Sequence, residues 1–278
     1  MTTISSHVPS PPPEWVKNLA RIGLIAKGVV YCLVGILAFM AAFELGGKSE
    51  KNAGKKGVFQ FILEQPFGQV LLGIVAFGLF CYCIWRLIEA IKDTERKGND
   101  AKGISVRLRY AFSGLVYGAL AFYAAKLVLG SGGSSSGGGS RETLARQLLQ
   151  QPFGQWLVGI LAVGTALAGL YQIYLGLSDK YKKKVQEAGV AHEHEALMIK
   201  AGKIGYVARG IVWLVIGYLF LKAALQANAN QAGGSDSAFK WLESAWYGSY
   251  LLGAVALGLI CYGVFMFMRA KYQVINGS

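Results

Sequence analysis

Three residues that could carry chemistry occupy the same position in three similar segments of the chain. They are Lys27, Ser113 and Arg209, and each lies within or beside a long apolar stretch. Charged side chains in such stretches are costly to bury in lipid, so they are functional candidates by default. If the three converge, they form a polar, mostly cationic ring that attracts anions or lipid phosphate. The alternative is that Lys27 and Arg209 snorkel to the headgroups at the cytoplasmic ends of their helices.

An aromatic residue follows each member of this ring one helical turn later. The aligned aromatic residues are Tyr31, Tyr117 and Trp213. Two interpretations remain open for these axis aromatics: they close the centre of a helix bundle, or they simply pack between helices.

A second charged feature is the pair Arg86 and Glu89, which are three residues apart and can meet on one helix face. The residues that align with Arg86 are Gln172 and Met266, so the three similar segments do not share this charge. The pattern predicts a structural ion pair.

No motif predicts catalysis. His192 and His194 lie in a short His-Glu-His-Glu segment, but no third ligand is evident, so we expect a solvated loop and no metal site. The chain has no Gly-rich phosphate loop, nucleophile elbow or metalloprotease helix motif. We therefore expect no catalytic residue, no cofactor and no enzymatic activity.

The elements that must position these residues are long apolar segments. Hydrophobic residues make up 54% of the 278-residue chain and charged residues only 15%. Segments near 20 apolar residues match the thickness of the hydrocarbon core, and only helices or closed barrels satisfy their backbone there. These are too long and too uniformly apolar for barrel strands. The pattern predicts six membrane-spanning helices, numbered spans 1 to 6, over 24–45, 67–91, 110–130, 153–177, 206–226 and 247–268.

The net charge of +13 is unevenly distributed along the chain. Most Lys and Arg outside the spans lie in the N-terminal tail, in the segments after spans 2 and 4, and at the C-terminus. The positive-inside rule then places both termini in the cytoplasm. The cluster Lys180, Lys182, Lys183 and Lys184 is typical of a surface that attracts anionic lipid headgroups. We expect membrane lipids and a membrane protein as partners, and no nucleic acid.

Two internal sequence patterns recur three times. Residues 25–31, 111–117 and 207–213 read Ile-Ala-Lys-Gly-Val-Val-Tyr, Ala-Phe-Ser-Gly-Leu-Val-Tyr and Val-Ala-Arg-Gly-Ile-Val-Trp. Gln-Pro-Phe-Gly-Gln occurs at 65–69 and 151–155, and Ala-Trp-Tyr-Gly-Ser at 245–249. Both patterns place the second copy at the same offset from the first, so the match is not accidental. The chain divides into a disordered tail over 1–16 and repeats over 17–100, 101–185 and 196–272.

Each repeat reads as a span, an outer loop, a short amphipathic stretch and a second span. The amphipathic stretches cover 59–63, 144–149 and 239–242, as expected for helices lying in the membrane interface. An even number of spans gives all repeats one orientation, so their symmetry axis runs along the membrane normal. The predicted fold is an all-α integral membrane protein, with three tandem helix pairs in a pseudo-threefold bundle.

These patterns resemble a bacterial membrane family catalogued as domain of unknown function 1206. The resemblance is carried by residues 21–31 and 203–213 in the odd spans, and by 65–69 and 151–155 in the even spans. It covers nearly the whole chain. The sequence departs from the pattern at Ser113 and lacks Pro-Phe in the third copy. The resemblance implies three tandem helix pairs and a location in a bacterial plasma membrane, and it supplies no activity.

Three functional hypotheses follow, of which the third, a membrane enzyme, is the least favoured and requires an enclosed pocket with paired acids or histidines. The first is a non-enzymatic structural membrane protein that interacts with lipids or a partner. The second is a small channel or transporter for an ion or anionic solute along the pseudo-threefold axis. A packed axis favours the first hypothesis, whereas a continuous polar cavity lined by Lys27, Ser113 and Arg209 favours the second.

Overall fold

Helices form all the regular secondary structure in this computed structural model, which describes residues 14–45, 54–92, 100–130, 140–151, 153–178 and 192–272. The described segments contain nine α-helices and a 3₁₀ turn at Ala229–Gln231. The helices, in chain order, are α1 (Glu14–Ala42), α2 (Lys55–Leu63), α3 (Gly68–Lys92), α4 (Ala101–Val128), α5 (Ser140–Leu149), α6 (Gly154–Leu177), α7 (His192–Leu225), α8 (Ser235–Glu243) and α9 (Gly248–Tyr272).

Six of these helices are long and apolar enough to cross a membrane: α1, α3, α4, α6, α7 and α9. They correspond to the six predicted spans, and this number is confirmed. The odd spans begin earlier than their apolar blocks, because α1 starts at Glu14 and α7 at His192. Residues 14–16 are therefore helical, although they were expected in the disordered tail; the rest of that tail lies outside the described residues.

The three amphipathic stretches form the short helices α2, α5 and α8, as predicted. Each short helix turns directly into an even-numbered span at a glycine: Gly68, Gly154 or Gly248. A Cβ at these glycines would collide with the carbonyl oxygens of Leu63, Leu148 and Glu243 respectively. The glycine common to all three copies is thus required because two helix backbones approach too closely for any side chain.

Neighbouring repeats pack through their spans in three equivalent interfaces: α3 with α4, α6 with α7, and α9 with α1. Glycines on the odd spans lie at these contacts. The Cβ position of Gly210 lies 2.6 Å from Ile173, that of Gly28 lies 2.7 Å from the Phe267 ring, and that of Gly114 lies 3.3 Å from Leu87. Small residues allow helix backbones to approach closely in lipid. The last span thus returns to the first, and the pseudo-threefold bundle is confirmed.

Within the repeats the helix pairs differ. In repeats 1 and 3 the odd and even spans pack against each other, α1 against α3 and α7 against α9. In repeat 2, α4 and α6 are both described and make almost no backbone contact. In α4 and in α6, only 22% of the most apolar 18-residue stretch is buried, whereas the corresponding share in the other four spans is 50–61%. The pseudo-threefold arrangement is therefore broken inside repeat 2.

Candidate functional site

Lys27 points into the bundle and does not snorkel. Its side chain is 3% exposed, and its amine donates a hydrogen bond of 3.0 Å to the Tyr82 hydroxyl on α3. The residue lies six positions after Arg21, which is exposed, so it is about 9 Å deeper along the helix. For Lys27 the snorkelling interpretation is wrong, because a hydrogen-bond acceptor inside the protein replaces the headgroup.

Arg209 on α7 repeats this geometry in the third repeat. Its guanidinium donates to the Tyr262 hydroxyl on α9 at 2.5 Å. Lys27 and Arg209 also converge, since the Lys27 amine lies 5.6 Å and the Arg209 guanidinium 5.0 Å from the centre of the Tyr262 ring. Such distances allow cation–π attraction.

Ser113 is the third member of the predicted ring. It is partly buried on α4, and none of the polar contacts described by the structure joins it to Lys27 or Arg209. The residue aligned with Tyr82 and Tyr262 is Ala168, so repeat 2 lacks both the cation and its phenol acceptor. The structure therefore brings together two of the three ring residues.

Two of the three axis aromatics meet at the centre. Tyr31 and Tyr117 are buried, and the Tyr117 hydroxyl donates to the Tyr31 hydroxyl at 3.3 Å. The centroid of the Tyr31 ring lies 4.7 Å from that of Tyr262, and the Tyr117 and Tyr82 rings are equally close. Trp213 is partly buried, with its ring 6.0 Å from the Arg209 guanidinium. Tyrosine rings thus pack across the axis at this level.

The predicted ion pair between Arg86 and Glu89 is present and buried, with 2.5 Å between Nη1 and Oε2. Arg86 Nε also donates to the Tyr82 hydroxyl on the same helix at 2.9 Å. Because Tyr82 accepts a hydrogen bond from Lys27 as well, the ion pair on α3 is connected to α1. We call Lys27, Arg86, Arg209 and the four tyrosines around them (Tyr31, Tyr82, Tyr117 and Tyr262) the cationic centre.

Sequence reasoning missed Tyr82, Tyr262 and Lys55. The amine of Lys55, at the start of α2, lies 5.0 Å from the Tyr31 ring and 5.1 Å from the Tyr117 ring. Tyr82 and Tyr262 align across repeats 1 and 3, and both lie beside cysteine in an apolar run. That alignment was the available signal, and the alanine in the second copy hid it.

The cationic centre contains more basic side chains than carboxylates. Lys27, Arg86 and Arg209 are basic, and Glu89 is paired with Arg86. The hydrogen-bond partners of Lys27 and Arg209 are tyrosine hydroxyls and not carboxylates. Arg209 Nε is buried without a hydrogen-bond partner. Buried charge without a counter-charge is expensive, so the centre is suited to binding an anion.

The described residues contain no group of three His, Cys, Asp or Glu side chains that could hold a metal ion. The segment over 192–195 forms the first turn of α7, so the expected loop is wrong; the side chains of His192 and His194 lie outside the described set. The lysine cluster over 180–184 also lies outside it.

Comparison with known proteins is consistent with this architecture. A protein of Bacillus subtilis (strain 168) described as "Uncharacterized protein YxxB" is 35% identical over 259 residues, which cover 93% of this chain and 92% of that protein. No solved structure matches the chain. Residues 22–93, 108–179 and 204–273 each match one family model, one match for each repeat. The chain thus belongs to the family described as Domain of Unknown Function (DUF1206).

Proposed function

We propose that this protein is a non-enzymatic membrane protein that binds the anionic headgroup of a membrane lipid at its cationic centre. One observation carries the proposal. Lys27 and Arg209 are directed into the bundle against phenol hydroxyls, and Arg209 retains a buried N–H without an acceptor.

Phosphate suits this environment chemically. Arginine donates directional hydrogen bonds to phosphate oxygens, and lysine contributes a compact positive charge. A phenol that accepts a hydrogen bond from a cation still has its own hydrogen to donate, so Tyr82 and Tyr262 can contact an anion. Binding one anion would offset the unpaired positive charge without removing any observed hydrogen bond.

The position of the centre also favours a headgroup. Arg21, Arg109 and Lys203 are exposed on the side where α1, α4 and α7 begin. Lys27 and Arg209 lie about 9 Å deeper than this basic belt, since each is six residues further along its helix. We infer that this face is cytoplasmic, that both termini lie there in a bacterial plasma membrane, and that anionic headgroups or a membrane protein partner gather on it.

Lipid retention tests the proposal. The full-length protein, reconstituted in nanodiscs with phosphatidylcholine and phosphatidylglycerol, is extracted in mild detergent, and native mass spectrometry counts the bound phosphatidylglycerol. Loss of one charged hydrogen bond should lower retention about tenfold in Arg209→Gln and in Lys27→Gln. Lys126→Gln removes one positive charge from the exposed surface at the opposite end of α4 and should retain the lipid. Equal retention in all four proteins contradicts a site at the centre.

A channel for anions along the axis is the second candidate, because the axis carries cations and hydroxyl groups and not only apolar side chains. The packed tyrosines argue for the first candidate, since Tyr31 and Tyr117 meet at the centre. Anion flux into liposomes separates the two. The channel hypothesis requires flux in the parent protein and its loss in Lys27→Ala combined with Arg209→Ala, whereas the lipid-binding proposal expects no flux from the parent.

A further inference from the structure

Repeat 2 departs from the other repeats at the positions that close a helix pair. In repeats 1 and 3 a glycine of the odd span packs on a tyrosine of the even span, with the Cβ position of Gly23 2.6 Å from Tyr82 and that of Gly205 2.5 Å from Tyr262. An alanine of the odd span likewise packs on a glycine of the even span. The aligned residues of repeat 2 are Arg109 and Phe112 on α4, and Ala168 and Gly164 on α6.

Arg109, Phe112 and Ala168 differ from their counterparts in the other repeats, whereas Gly164 is glycine in all three, and α4 and α6 lie apart. A Cβ at Gly78 or Gly258 would collide with an alanine of the odd span, whereas a Cβ at Gly164 would meet no atom within 4 Å. Phe112, in place of the small alanine, is 53% exposed. We call the space between α4 and α6 the seam, and define it by Arg109, Phe112, Ser113, Gly164, Ala168 and Gln172.

The charged residues of the two helices that form the seam are all basic. Neither α4 nor α6 contains an acidic residue. Arg109 marks its basic end, where the guanidinium lies 4.9 Å from the Tyr171 ring and links α4 to α6. An anion that enters at this end meets positive charge and no acidic residue from either wall.

Two buried polar atoms without hydrogen-bond partners lie on α6 and α7, one from the seam and one from the cationic centre. They are Oε1 of Gln172, a residue 9% exposed, and Nε of Arg209. The two residues share one level of the bundle, because Ile173 and Gly210, which follow them, are in contact across α6 and α7. Gln172 aligns with Arg86, whose side chain reaches the centre. One atom lacks a donor and the other lacks an acceptor, so a ligand with a hydroxyl group and an anionic oxygen satisfies both.

We propose that the seam is a lateral opening through which one anionic phospholipid enters from the bilayer, with its headgroup at Arg209 and Gln172 and an acyl chain along Gly164. This inference rests on the proposed function and adds the route and the lipid. Phosphatidylglycerol supplies both the phosphate and the hydroxyl groups. A membrane lipid, as opposed to free phosphate, is favoured because the seam runs between two helices long and apolar enough to cross a membrane, with Phe112 and Gly164 exposed along it.

Filling the seam tests the route. Gly164→Trp places a large ring where the Cβ now meets no neighbour, and it leaves every contact of the centre in place. Gly159→Trp is the matched control: its Cβ position also has no atom within 4 Å, but it lies about 140° around the same helix. Both variants and Arg209→Gln are assayed for phosphatidylglycerol retained from nanodiscs. Binding of soluble glycerol phosphate is measured in parallel by calorimetry, and circular dichroism confirms the helical fold of each variant.

The inference expects at least about a tenfold loss of retained lipid in Gly164→Trp, since excluding the chain removes its buried apolar surface. Gly159→Trp should retain the lipid, and Gly164→Trp should still bind glycerol phosphate. Normal lipid retention in Gly164→Trp together with loss in Arg209→Gln would overturn the route and leave the proposed function standing. Normal retention in both would overturn the proposed function as well. Capture of a second copy or another membrane protein by the seam, in place of lipid, would also overturn the inference.

Discussion

Two tyrosine hydroxyls accept the hydrogen bonds of the buried basic side chains in the cationic centre. Tyr82 accepts from Lys27 and Arg86, whereas Tyr262 accepts from Arg209. Replacing either tyrosine by phenylalanine removes only the oxygen atom and leaves buried charged donors unsatisfied, which costs about 1–3 kcal/mol for each donor. We therefore expect Tyr82→Phe to lower the thermal midpoint of the detergent-solubilised protein more than Tyr262→Phe does.

The control for this comparison is Tyr250→Phe, because Tyr250 is 73% exposed. Its midpoint should equal that of the parent. Equal midpoints for Tyr82→Phe and the control would show that the hydrogen bonds to Lys27 and Arg86 add nothing to stability.

The ion pair between Arg86 and Glu89 allows a second prediction at this scale. Removing one partner of a buried pair costs about 3–5 kcal/mol, whereas replacing both by apolar residues is often nearly neutral. Glu89→Leu alone should therefore destabilise the protein more than Glu89→Leu combined with Arg86→Met. The aligned residues Leu175 and Met266 show that both apolar side chains fit this fold. A double variant less stable than the single one, measured by thermal unfolding in detergent, contradicts this account.

At the level of the helices, substituting aligned glycines shows which helix pairs pack against each other. Gly78 and Gly164 align between repeats, but only Gly78 faces a neighbour, the Ala26 methyl group. Gly78→Ala should destabilise the protein by about 1–3 kcal/mol, as overpacking does. Gly164→Ala should be neutral or up to about 1 kcal/mol stabilising, because alanine favours helix. Similar losses of stability in both variants, compared in the same detergent, would mean that α4 and α6 are packed in solution.

Much of the helix arrangement was predictable, and the exceptions have physical causes. Long apolar segments and the repeated Pro-Phe-Gly pattern gave the six spans and the short helices, because lipid permits few alternatives. The early start of α1 was not predictable from hydropathy, since its first turns carry Lys17 and Arg21. The role of Tyr82 was hidden because a tyrosine in an apolar run is equally suited to packing, and only its partner on another helix distinguishes the two.

At the scale of the whole molecule, symmetry was predictable and its loss was not. Equivalence of the repeats predicted three equal helix pairs, and the visible departures were Ser113 and the missing Pro-Phe of the third copy. The open seam depends on three coordinated differences, at 109, 112 and 168, and none of them is informative alone. On α4, Arg109 and Phe112 replace the glycine and alanine that pack the odd span against the even span in the other repeats. Repeat 2, which differs in sequence at these positions, is therefore the repeat whose two spans do not pack against each other.

Closure of the bundle through α9 and α1 gives the last prediction. The Cβ position of Gly263 on α9 touches the Cys32 sulfur on α1, although the two residues are far apart in sequence. In a Cys261→Ala background, Gly263→Cys should form a disulfide with Cys32 on mild oxidation, because the two thiols meet within one protomer. Maleimide labelling of the unfolded protein should then fall by two thiols. Gly253→Cys is the control, since its Cβ position faces the ring of Phe43 at 2.9 Å and no cysteine. Unchanged labelling of Gly263→Cys would show that the last span does not return to the first. The cationic centre would then lose its structural basis, because it needs Tyr262 on α9 beside Tyr31 on α1.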